Sequence, residues 1–121
     1  MNREIKFRMW NDYDKKMIYW NELLKNKLAN IFTIPSYNKW LMQYTGLHDK
    51  NGKEIYEGDI LKSMQWNDIY LVKYIRTAFY LCRKGNKGFN KITTWNNVEK
   101  SEVVGNIYDN PELLKEEKND E

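Results

Sequence analysis

The chain has 121 residues, a formal net charge of +3, one cysteine and one histidine. That length suits a single domain, and one thiol excludes an internal disulfide and a cysteine-rich zinc site. Nine Tyr, five Trp and four Phe favour half-buried pleated surfaces over helices, so the composition points to a mainly β fold.

The N-terminus MNREIKFRMW lacks the apolar segment of a secretory signal. No apolar run approaches the ~18 residues of a membrane-spanning helix. The expected compartment is therefore a reducing cytoplasm, with no membrane partner. Residues 112–121 carry five acidic and two basic groups, net −3, which leaves +6 on residues 1–111. A mildly basic body with an acidic tail permits weak nucleic-acid contact but falls short of a dedicated basic binder.

In chain order, residues 3–10 alternate with period two, which predicts a half-buried strand with Ile5, Phe7 and Met9 inward. Asn11, Asp12 and Asp14 supply turn chemistry, and residues 17–20 return, so 3–20 reads as a β-hairpin. Residues 21–39 are the least legible. NELLKNKLAN reads as a short helix capped by Asn21, with Leu24 and Leu28 on one face, or as a loop. Residues 40–47 predict a strand, and Asn51-Gly52 a type I′ hairpin turn leading to a return over 53–56. Glu57-Gly58-Asp59 makes a second tight turn before a strand that starts at Ile60.

Further strands are expected at 69–75 and 78–82, with a bend at Arg76-Thr77. A Gly- and Lys-rich loop follows at 83–91, then strands at 92–95 and 102–108. Asn110 and Pro111 are expected to start a short helix over 111–118. Seven to nine short strands with closely spaced turns point to a barrel or sandwich.

REIKFRMW (3–10), LMQYTGLHDKNGKEIYEGDIL (41–61) and VVGNIYDNPELL (103–114) occur in that order. They resemble the opening, central and closing motifs of the YopX-like family of phage and prophage proteins. The resemblance implies an all-β domain over 1–110 with an SH3-like barrel element and an N-terminal hairpin, followed by a short helix and acidic tail over 111–121. It also implies a phage accessory protein of the host bacterial cytoplasm, with members that associate. It brings no catalytic residues and no cofactor.

Four groups of residues bear on chemistry. Asp49, Glu54, Glu57 and Asp59 offer oxygen ligands to a divalent cation, as in a metal-dependent enzyme. Their spacing fits no EF-hand loop, and solvated turn carboxylates are the expected reading. His48 and Cys82 form a base–nucleophile pair only on paper. His48 sits among turn residues, and Cys82 lies in the apolar run after Phe79, where a small buried hydrophobe is expected. Arg83, Lys84, Lys87 and Lys91, interleaved with Gly85, Gly88 and Phe89, suit phosphate contact with base stacking. Finally, Trp10, Trp20, Trp40, Trp66 and Trp95 exceed what a domain this small is expected to bury, which points to a protein interface.

The expected function is a non-enzymatic module that associates with itself or with a host or phage protein. Nucleic-acid binding through 83–91 is the alternative, and a carboxylate-bound metal enzyme the third reading.

Overall fold

The computed structural model describes residues 4–25, 40–63, 68–76, 78–85, 88–92 and 98–114. The fold is mainly β, in two antiparallel sheets. Strands β1 (Phe7–Asn11) and β2 (Lys16–Ile18) form the expected hairpin, with Met9 opposite Ile18 and Trp10 opposite Met17. Its turn is set by one side chain: Asn11 Oδ1 accepts the Tyr13 and Asp14 amides at 3.0 and 3.1 Å. Helix α1 (Trp20–Lys25) follows, and β3 (Leu41–His48) pairs with the other edge of β1. β4 (Glu54–Tyr56) pairs with β3 and completes a four-stranded sheet of order β2-β1-β3-β4.

The second sheet contains β5 (Asp59–Ser63), β6 (Ile69–Ile75), β7 (Ala78–Gly85), β8 (Gly88–Ile92) and β9 (Ser101–Asn106), in the order β8-β7-β6-β5-β9. Its central strands β5, β6 and β7 bury apolar side chains on both faces. Leu61, Val72 and Leu81 pack with Ile55 of β4 and with Val98 on one side. Ile60, Leu71 and Cys82 pack with Ile107, Leu113 and Leu114 on the other. Each such aliphatic side chain contributes roughly 1.5–3 kcal/mol on burial. The four-stranded sheet has a smaller cluster of its own, in which Ile18 and Leu23 are buried with Met9, Trp20 and Leu41 against them.

Several sequence expectations change here. The expected strand at 3–10 begins only at Phe7, Arg3 lies outside the described residues, and the most deeply buried side chains of the segment are Arg8 and Trp10, while Ile5 is exposed. Trp10 stacks on Tyr108 (centroids 5.2 Å, interplanar 10°) and Arg8 finds a buried carboxylate. Both faces of β1 are covered, which a two-sided hydropathy reading cannot anticipate. The helix begins at Trp20 rather than after an Asn21 cap, and the Tyr19 carbonyl accepts the Glu22 and Leu23 amides. Leu23, not Leu24, is its buried residue; Leu28 and the run at 31–34 lie outside the described residues.

The Asn51-Gly52 turn is not type I′. Only Gly52 takes positive φ (80°), and the Asp49 carbonyl accepts the Gly52 amide at 3.0 Å. A right-handed turn followed by a left-handed glycine is the alternative short hairpin connection. The stretch 83–91 is not a loop. β7 runs to Gly85 and β8 restarts at Gly88 directly opposite, so it is the end of a hairpin. The expected C-terminal helix is a 3-10 turn over Pro111–Leu114, and residues 115–118 lie outside the described residues.

Candidate functional site at the junction of the sheets

The Glu57-Gly58-Asp59 turn carries the chain from β4 in one sheet to β5 in the other. Its backbone is held from three directions. Glu57 N–H donates to the Gln43 carbonyl (2.9 Å), Gly58 N–H to Val72 (2.8 Å), and Ile107 N–H to Gly58 (2.9 Å). Gly58 takes φ 90°, and a Cβ there would lie 3.0 Å from Met42 Sδ. Glycine is required at such a crowded left-handed position.

Asp59 sits where the two sheets meet. One carboxylate oxygen accepts Arg8 Nη2 at 2.8 Å and the other accepts the Tyr56 amide at 2.8 Å. Both Arg8 and Asp59 are 2% exposed. Arg8 also donates to the Glu57 carbonyl (3.2 Å) and lies over the Tyr56 ring (4.7 Å to the centroid). Its Nε has no hydrogen-bond partner among the described residues. Burial pushes the Asp59 carboxyl up, against the opposing pull of Arg8 and the Tyr56 amide.

A polar row extends from this pair. Lys6 pairs with Glu54 and lies over the Tyr44 ring, and Tyr56 Oη donates to Glu54 at 3.2 Å. The hydrogen bond it donates to Glu54 raises Lys6; burial and then the Glu54 charge raise the Tyr56 phenol. Burial raises Glu57 as well, although the Gln43 amide donates to its carboxylate.

Asp49 ties the β3–β4 turn to β9. Its Oδ1 accepts the Asn51 and Lys53 amides at 2.8 and 2.9 Å, and its Oδ2 accepts the Val103 amide at 2.9 Å. Burial pushes this carboxyl up, but the three amides and Lys53 outweigh it and hold it below its ordinary value. Asp49 therefore contributes stability that is present above the unfolded-state pKa of about 4 and lost as pH falls through the lower folded value. Glu57 and Asp59 have raised values and act in the opposite sense. Asp49→Asn is thus expected to destabilise most at pH 6–7 and progressively less below about pH 4. Urea titrations of both proteins across that range check it, and a pH-independent difference would contradict it.

A cleft of about 390 Å³ opens beside the junction, lined by Arg8, Tyr19, Lys53, Asp59, the run 103–106, Asp109 and Asn110. Asn106 organises one end: its Oδ1 accepts the Tyr108 and Asp109 amides, both at 2.9 Å, and its Nδ2 donates to Asp109. Exposed Lys53 and the partly exposed Tyr19 give this cleft a cation and a phenol. A second groove, about 260 Å³, is bordered by Met42, Gly58, Leu71, Val72, Ile107 and Tyr108.

The sequence candidates are placed as follows. Asp49 and Asp59 are buried structural ties rather than solvated turn residues, and Glu54 and Glu57 engage Lys6 and the Gln43 amide. Among the described residues, no three His, Cys, Asp or Glu side chains converge as a metal site. His48 is exposed, with its Nε2 3.4 Å from Tyr44 Oη in the first sheet, whereas Cys82 is buried in the second.

In the β7–β8 hairpin Lys84 is opposite Phe89 and Lys91 opposite Cys82, while Arg83 is opposite Asn90. Lys87 lies outside the described residues, and Arg83 is 3.6 Å from Asp68. Of the tryptophans, Trp10 is buried, and Trp20 and Trp40 are half-buried against Phe7 and Tyr108. Trp66 and Trp95 lie outside the described residues.

Sequence reasoning missed Arg8, Tyr19, Lys53, Asn106 and Asn110. The available signal for Arg8 was a lone cation between the aromatics Phe7 and Trp10 in a strand already matched to a motif.

The residues that meet at the junction come from the three recognised blocks: Arg8 from the first, Asp49 and Asp59 from the second, Val103, Asn106 and Asn110 from the third. They define a two-sheet β scaffold locked by a buried ion pair. The chain belongs to the YopX protein family, whose model matches residues 6–115. Its fold is similar to that of protein EF1440 from Enterococcus faecalis, with a TM-score of 0.59, 24% identity, and coverage of 94% of this chain and 100% of that one. No curated protein matches the chain.

Proposed function

We propose that this protein is a non-enzymatic, self-associating interaction module acting in the bacterial cytoplasm during phage infection, with the five-stranded sheet as its SH3-like element. The observation that carries the reading is the set of exposed large apolar side chains between Ile5 and Leu24. Tyr13 is 95% exposed on the β1–β2 turn that Asn11 holds, and Ile5, Tyr19 and Leu24 are exposed nearby in sequence. Rigid aromatic side chains on fixed turns supply contact area at low entropic cost. The interface role that composition suggested for tryptophan thus moves to these residues. In support, the motif carboxylates serve the fold itself.

Sedimentation velocity over a wide concentration range tests the reading. Self-association that weakens at least about tenfold in a Tyr13→Ala/Leu24→Ala variant is expected, with stability changed by no more than about 0.5 kcal/mol per site. A concentration-independent monomer would overturn it. Salt-sensitive retention of DNA or RNA, lost on Arg83→Ala, would hand the function to the β7–β8 hairpin.

A further inference from the structure

β9 pairs with β5 and lies at the edge of its sheet. An edge strand directs a row of N–H and C=O groups outward, and such a row is a template for pairing with another chain. Here the chain covers its own edge. The Ser101 carbonyl accepts the Lys50 amide (2.9 Å), and the Val103 amide donates to Asp49 Oδ2 (2.9 Å). The Asn106 amide donates to Asn110 Oδ1 (3.3 Å), and the Asn106 carbonyl accepts the Asn110 amide (2.9 Å). Asp49 uses its other oxygen to hold its own turn, so the group that covers Val103 is itself fixed. Between these points the register skips Val104, a bulge that interrupts the ladder.

We propose that Asp49 and Asn110 are plugs that keep the outer edge of β9 closed to a second copy of the chain. Native association then uses another surface, and removing a plug turns β9 into a strand-addition site. The proposal stands apart from the interaction-module reading, because a monomeric wild type still needs its edge closed.

The test uses the full chain with Asp49→Asn, Asn110→Ala and the acceptor-keeping Asn110→Asp. The expected result has two parts. The Val103 amide in Asp49→Asn and the Asn106 amide in Asn110→Ala exchange with deuterium about tenfold faster or more. Both variants also form larger, concentration-dependent species that wild type and Asn110→Asp do not. Faster exchange with an unchanged sedimentation profile would overturn the proposal. So would loss of folded protein in both plug-removing variants without any larger species, which would leave Asp49 and Asn110 a purely structural role. Loss of Tyr13-dependent association with the plugs intact would bear on the module reading alone.

Discussion

Arg8→Met is expected to cost about 3–5 kcal/mol at neutral pH, the penalty for leaving a buried carboxylate without its cation. Among the described residues Asp59 would keep only the Tyr56 amide, at 2% exposure. The cation over Tyr56 and the bond to the Glu57 carbonyl would go as well. Because burial already raises Asp59, its carboxyl takes up a proton more readily in the folded variant than in the unfolded chain. The deficit therefore shrinks as pH falls toward and below the raised value. Arg8→Met/Asp59→Leu is expected to recover most of the loss, since well-packed apolar replacements of a buried pair are often neutral. The Arg8 Nε, unpartnered among the described residues, favours that outcome. Denaturant titrations of the two single variants and the double at pH 7 and pH 4 check the whole set, and additive losses would contradict it.

Gly105→Ala is expected to cost about 2–3 kcal/mol, from overpacking and a lost hydrogen bond. The added Cβ would lie 2.4 Å from Asn110 Oδ1, 2.6 Å from its Cγ and 2.8 Å from its Cβ. No rotation of the amide alone relieves contacts along the whole side chain. Asn110 must move, and its bond to the Asn106 amide goes with it. Gly105 has no positive φ, so the demand for glycine is steric rather than conformational. Gly105→Ala/Asn110→Gly separates the two contributions: it should relieve the clash without restoring the bond. Thermal melts of both variants distinguish this from a backbone effect, in which the double would be no better.

Much of the fold was legible because it rests on local chemistry. The β1–β2 hairpin follows from a turn of one Asn and two Asp, and the bend at Arg76 is met by a left-handed residue between β6 and β7. The junction was far less legible. Arg8 and Asp59 are partners across 51 residues, and each read by itself as a surface charge, because burial of an ion is set by its tertiary partner. The same holds for Asp49, whose turn role was local but whose Val103 bond was not. The hairpin at 83–91 was hidden by composition: Gly and Lys read as loop residues, yet the glycines face one another at the end of the ladder. The three family motifs are the pieces of one junction: Arg8 lies in the first, Asp59 in the second and Asn106 in the third.

The strand order has a consequence for how the chain is made. β5 needs β6 on one side and β9 on the other, and β9 is the last of the described strands. A nascent chain that has released β1–β8 therefore carries β5 as an open edge, with Ile60 and Leu61 missing Val104 and Val103. Closing that gap joins Ser63 to Ser101 across a long connection, an entropic cost met only late. The five-stranded sheet is thus complete only once β9 has been made, so the first and third blocks meet after everything between them has been synthesised.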